Sequence, residues 1–169
     1  MLQRCLDLIC NWATSWQLKL SPSKCTVLSL GKTHVNTLYH CCDVVTDLVI
    51  LIYNQLSFSP HIDTVCTKTK QRAALILNCF YSRNKYLLIR AFIAHVRPLL
   101  EYCCSVWSPS KLGLIDKLEN VQRRFNKRLH GLQHLSYSER LTLLKIYSLE
   151  CRRINADIII YFLNFTSVN

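Results

Sequence analysis

A chain of 169 residues, half of them apolar, can close a core and does not have the composition of a disordered tail. Three glycines and four prolines are too few for a turn-rich all-β architecture, which leaves a mainly α fold. The net charge of +11 is lopsided, because residues 61–169 hold seventeen of the 21 Lys/Arg and only seven of the ten Asp/Glu; such an excess attracts polyanions, nucleic acid foremost, unless it is simply a solvated cationic surface.

In chain order, Leu2, Cys5, Leu6, Ile9, Ala13 and Trp16 recur at helical spacing, so residues 2–17 predict a helix broken by Leu18–Pro22. Thr26–Leu30, Leu38–Tyr39 and Asp47–Tyr53 read as short strands, the last rich in aliphatic residues. From Ser59 the pattern turns helical. Ile62, Val65, Cys66, Thr69, Ala73, Ile76, Leu77 and Phe80 form one stripe, and Lys85–Arg97 gives a second helix, interrupted or kinked at Pro98 and resuming through Tyr102 to Trp107.

The helix over Lys111–Leu129 separates its faces most cleanly. Leu114, Ile115, Leu118, Val121, Phe125 and Leu129 share one side, while Lys117, Arg123, Arg124, Lys127 and Arg128 share the other, with Gly131 as the expected C-cap. Ser136-Tyr137-Ser138-Glu139 is a capping-box pattern opening a helix through Ile146. A last helix starts at Ser148, where Arg152 and Arg153 are expected to pair with Glu150 or Asp157 of their own helix.

The ten cysteines include the neighbours Cys41-Cys42 and Cys103-Cys104, which are badly placed to bridge each other. With Arg4 and Asp7 in the first turns no secretory leader is read, and the cysteines are expected to be reduced, mostly buried thiols of an intracellular protein. The longest apolar stretch, Ile158–Phe165, is too short for a membrane span, which needs about 20 residues. His34, His40, Cys41, Cys42 and the pair His130/His134 lack the C-x2-C spacing of a zinc site, so no metal is assigned. Trp107 and Tyr102 are expected in the core.

A series of local motifs resembles one family. Trp12-Ala13-Thr14-Ser15-Trp16-Gln17-Leu18-Lys19-Leu20 with Lys24 resembles the W-x-x-x-W-x-L-x-L-N-x-x-K segment of reverse transcriptases from non-LTR, LINE-like retrotransposons. Asp47-Leu48-Val49-Ile50 and Leu56-Ser57-Phe58-Ser59-Pro60-His61-Ile62 are similar to that family's K-D-L-G-[VI] and L-x-F-x-x-H-I patterns. Val96–Tyr102 with Val106–Pro109, Leu118–Phe125, Tyr137–Leu141 and Ser148–Arg153 resemble its blocks further on.

The resemblance implies a palm remnant over 1–58, with the motif-D-like Lys24 and the primer-grip-like Asp47, Leu48 and Val49. It implies a helical thumb-like region over 59–131 and a post-thumb region over 132–169. The implied partner is RNA or an RNA–DNA duplex held by Lys68, Lys70, Arg72, Arg83, Lys117, Arg123, Arg124, Lys127 and Arg128, with neither a membrane nor a small-molecule substrate involved.

The missing upstream part of the polymerase would be a second partner. Polymerisation needs paired carboxylates holding two metals about 4 Å apart, and no two acidic residues are adjacent here. The chain is therefore expected to have no catalysis and no cofactor of its own, Mg2+ belonging only to an intact polymerase. Ser21, Thr46 and Val49 replace the family's Asn, Lys and Gly. A stand-alone basic RNA-binding module, or a non-functional relic of a retroelement, would fit the same residues.

Overall fold

The computed structural model describes residues 2–21, 24–30 and 40–166, and it is mainly helical with two small two-stranded sheets. The chain divides between Phe58 and Ser59 into two units.

The first unit opens with α1 (Leu2–Ser15). Of its expected apolar stripe Ala13 alone is buried among the described side chains, whereas Ile9 and Trp16 are exposed. The chain turns back immediately after the helix, Leu18 N–H donating to the Ala13 carbonyl at 2.8 Å, so only that small position is covered. Strand β1 (Thr26–Leu28) runs parallel to β2 (His40–Cys42). The Leu38–Tyr39 strand and His34 lie outside the described residues.

The reading of Asp47–Tyr53 as one strand is corrected. Strand β3 (Val44–Asp47) pairs antiparallel with β4 (Ile50–Tyr53), and Asp47 opposes Ile50. Leu48 and Val49 are therefore a two-residue hairpin turn, with φ of 43° and 73°. Two positive φ values in a tight hairpin are the geometry that favours Asn-Gly, and a β-branched residue there is strained. The aliphatic run concealed the turn because neither turn residue carries the usual signal.

The second unit is a helical bundle. Helix α2 (Ser59–Cys79) buries Ile62, Cys66, Thr69, Ala73, Ile76 and Leu77, the stripe expected from its spacing. The Asn84 side chain accepts from the amides of Tyr86 (2.9 Å) and Leu87 (3.4 Å), starting α3 (Lys85–His95). Of the two alternatives at Pro98, interruption is the one found, and the segment is three pieces: α3, then α4 (Arg97–Glu101), then α5 (Cys104–Trp107). Pro98 sits in the first turn of α4, where its missing N–H costs nothing, and the left-handed Cys103 (φ 49°) separates α4 from α5.

Helix α6 (Leu112–Lys127) ends before Gly131. Gly131, at φ 77°, serves the following turn instead, in which Leu132 N–H donates to the Leu129 carbonyl at 3.2 Å. The Ser136/Glu139 capping box opens α7 (Tyr137–Leu144), and Ser148 Oγ accepts from Cys151 N–H at 3.1 Å in the first turn of α8 (Leu149–Thr166).

The bundle core lies between α2, α3 and α6. Phe92 stacks on Phe125 at 4.5 Å between ring centroids, and buried Trp107 meets buried His61 edge-on at 5.4 Å. The Trp107 indole donates to the Tyr102 carbonyl at 2.8 Å. Trp107 is thus in the core, whereas Tyr102 contributes its carbonyl there and keeps its ring half exposed. Burial lowers the His61 pKa, with Lys68 adding to the effect, so His61 is a neutral core group.

The cysteines are free thiols among the described residues, but the expectation that most are buried fails. Among the described side chains only Cys66 and Cys104 are buried; Cys79 is exposed because it is the last residue of α2, past the end of the buried stripe.

Candidate nucleic-acid interface

Helix α6 is enclosed on two sides, and this determines which of its cations remain available. Its apolar row, Leu118, Val121 and Phe125, is buried where α6 packs on α2, and Phe125 stacks on Phe92 of α3. A second, polar row, Glu119, Gln122 and Asn126, is also buried. The Glu119 carboxylate accepts from the Tyr137 hydroxyl and from the backbone amides of Leu149 and Glu150, the two amides each at 3.2 Å. It therefore caps α8 from another helix, a negative charge at the positive end of the helix dipole. Gln122 donates to the Tyr137 hydroxyl and to the Tyr147 carbonyl, both at 3.0 Å. Sequence reasoning missed this row, because polar residues beside a charged face read as solvent-facing.

The four cations of α6 and its C-cap Arg128 then separate. Lys117 is ion-paired with Asp63 of α2, which raises its pKa. Arg123 pairs with Asp116 at 3.6 Å, donates to Asn120 at 3.1 Å and lies 5.1 Å over the Tyr137 ring. Arg124, Lys127 and Arg128 instead line a groove of about 440 Å³ with Lys70 of α2. Ala73, Ala74, Leu77, Val121 and Phe125 form its floor. The small side chains at 73 and 74 leave room between the two helices. Two of the three cations, Arg124 and Lys127, lie in the last turn of α6, where the helix dipole favours positive charge.

A second depression of about 450 Å³ is lined by Leu77, Asn78, Arg83 and Arg128, so it shares two residues with the groove. Arg83 also donates to the Leu77 carbonyl at 3.3 Å.

Five acidic residues of the bundle are committed elsewhere. Asp63, Asp116 and Glu101 pair with Lys117, Arg123 and Arg152, Glu119 caps α8, and Glu139 caps α7. No carboxylate lines the groove, and among the described residues none of Lys70, Arg124, Lys127 or Arg128 is in an ion pair. Clustered like charges repel one another, and a polyanion would relieve that cost.

The other residues singled out from the sequence fall outside the groove. Lys68 is exposed on α2, and Arg72 donates to the His95 carbonyl at 3.5 Å. Lys24 is exposed, and Asp47, Leu48 and Val49 form the hairpin in the first unit. The expectation that Arg152 and Arg153 pair within their own helix is corrected: Arg152 makes a two-pronged contact with Glu101 of α4, 2.9 Å at its second nitrogen, and Arg153 is buried. Helix α8 packs against α4, α5 and α6, so its arginines face neighbours rather than their own turn. Among the described residues no group of three or more His, Cys, Asp or Glu could hold a metal, and no helix is long and apolar enough to cross a membrane.

Among known proteins, the chain is similar to an uncharacterized protein of Caenorhabditis elegans, with 30% identity over 113 residues that cover 65% of this chain and 57% of that protein. The chain thus spans little more than half the length of the relative it matches. No protein-family model matches, and no solved structure does.

Proposed function

We propose that this chain is the thumb and palm remnant of an RNA-directed DNA polymerase of the non-LTR retrotransposon type, which grips a template–primer duplex and has no catalysis by itself. The observation that carries the reading is the convergence of Lys70, Arg124, Lys127 and Arg128 on one groove without a carboxylate. Cations in this arrangement hold phosphates and so position a duplex without reading its sequence. The motifs that resemble the family supply the rest. His61 and Trp107, from two separate motifs, meet in the core, and Glu119 and Gln122, from a third, tie α6 to α7 and α8.

A second reading, a stand-alone basic module for RNA or RNA–DNA hybrid, draws on the second unit having a core of its own. Both readings place the ligand in the same groove. Fluorescence anisotropy of the purified chain with an RNA–DNA hybrid, from low to physiological salt, tests them. Binding that weakens with salt and falls at least tenfold in R124A/K127A/R128A is the expected result. The absence of binding at low salt by a sample with full helical circular dichroism would refute both readings.

A further inference from the structure

The groove shares Leu77 and Arg128 with the depression lined by Arg83, and the loop between α2 and α3 that carries Arg83 also carries an exposed aromatic ring. Tyr81 is 100% exposed, the most exposed of the large apolar side chains among the described residues. It is two residues from Arg83, and therefore within about 7 Å of it along the backbone. Arg83 lines the depression together with Arg128.

The loop is anchored on both sides of Tyr81. Phe80 N–H donates to the Ile76 carbonyl at 3.3 Å, Arg83 to the Leu77 carbonyl at 3.3 Å, and Asn84 caps α3 while its own amide donates to Ser82 Oγ at 3.3 Å. The next exposed aromatic, Tyr86, differs in that Lys85 lies over its ring at 5.4 Å. Tyr81 is thus an open π face on an anchored loop, two residues from Arg83, whose side chain shares the depression with Arg128. A phosphate on Arg83 or Arg128 would bring the base of an unpaired nucleotide within reach of that ring.

We propose that Tyr81 is a stacking platform for an unpaired base, so that the groove prefers a hybrid with a single-stranded extension over a blunt one. This rests on the nucleic-acid reading of the groove. A base inside a duplex already has stacking partners on both sides, whereas an unpaired one gains a partner, and stacking on a protein ring tolerates any base.

The test uses the full chain and two probes, a blunt RNA–DNA hybrid of about 16 base pairs, comparable to the span of a duplex-binding domain, and the same hybrid with a short single-stranded extension carrying 2-aminopurine. Stacking of one base on an aromatic ring corresponds to on the order of tenfold in affinity. The extended probe should bind about tenfold tighter than the blunt one, with quenched 2-aminopurine fluorescence. Tyr81→Ala should abolish both differences while leaving blunt-hybrid affinity unchanged, and Tyr81→Phe should keep them, since the ring and not the hydroxyl does the stacking. Equal affinity for the two probes, or an advantage that survives Tyr81→Ala, overturns the inference and leaves the groove reading standing. Failure of both probes to bind refutes the groove reading and this inference with it.

Discussion

Removing the Glu119 carboxylate should unfold the bundle more readily than any cavity-forming change at its rim. Glu119 is 5% exposed and accepts three hydrogen bonds, two from backbone amides at the start of α8 and one from Tyr137. A hydrogen bond to a charged group contributes about 1.5–3 kcal/mol, and each donor left buried and unpaired costs about 1–3 kcal/mol. The desolvation of the carboxylate itself, recovered on its removal, offsets part of that sum. The net expectation for Glu119→Ala is a loss of about 3–5 kcal/mol, a large share of the roughly 5–15 kcal/mol typical of a domain.

Glu119→Gln keeps one accepting oxygen but turns an amide toward the donors, and about half the loss is expected. Urea denaturation followed by circular dichroism measures both variants, and hydrogen exchange should show α8 amides released first. A loss below about 1 kcal/mol for Glu119→Ala, or α8 amides as protected as in the wild type, would refute the capping account.

Three further outcomes follow from other parts of the structure. Val49→Gly removes a β-branched residue from φ 73°; relief of about 1–2 kcal/mol less a glycine entropy cost of about 0.5–1 kcal/mol should slow amide exchange in the β3–β4 hairpin. Tyr137 has its pKa raised above the usual 10.0, mainly by burial and also by its bond to Glu119. Its contribution to stability is therefore complete below about pH 10 and is lost as pH rises further, so Tyr137→Phe should flatten the alkaline fall in urea midpoint. Ile159 and Phe162 are 58% and 62% exposed on α8, so Ile159→Glu with Phe162→Glu should raise solubility and change the unfolding free energy by no more than about 0.5 kcal/mol.

Period alone made the α2 and α6 stripes legible, because each turns one apolar face into the shared bundle core. It could not find the buried polar row of α6, since the partners of Glu119 and Gln122, namely Tyr137, Tyr147 and Leu149, are distant in sequence. The charged face of α6 was legible as a group, but its division was not. Asp63 on another helix holds Lys117, and Asp116 holds Arg123 on α6 itself, leaving Arg124, Lys127 and Arg128 to join Lys70. The hairpin at Leu48-Val49 stayed hidden because strain there is stored in residues that ordinarily continue a strand. Likewise Arg152 found its carboxylate on α4, which local spacing had no means of placing nearby.

The location of the bound hybrid tests the central claim most directly, and lysine acetylation read by mass spectrometry resolves it side chain by side chain. With a saturating RNA–DNA hybrid at low salt, Lys70 and Lys127 should be protected several-fold, while exposed Lys111 and Lys145, away from the groove, should react as in the free protein. Uniform protection of all four lysines, or protection of Lys111 and Lys145 with Lys70 and Lys127 still reactive, would contradict the account.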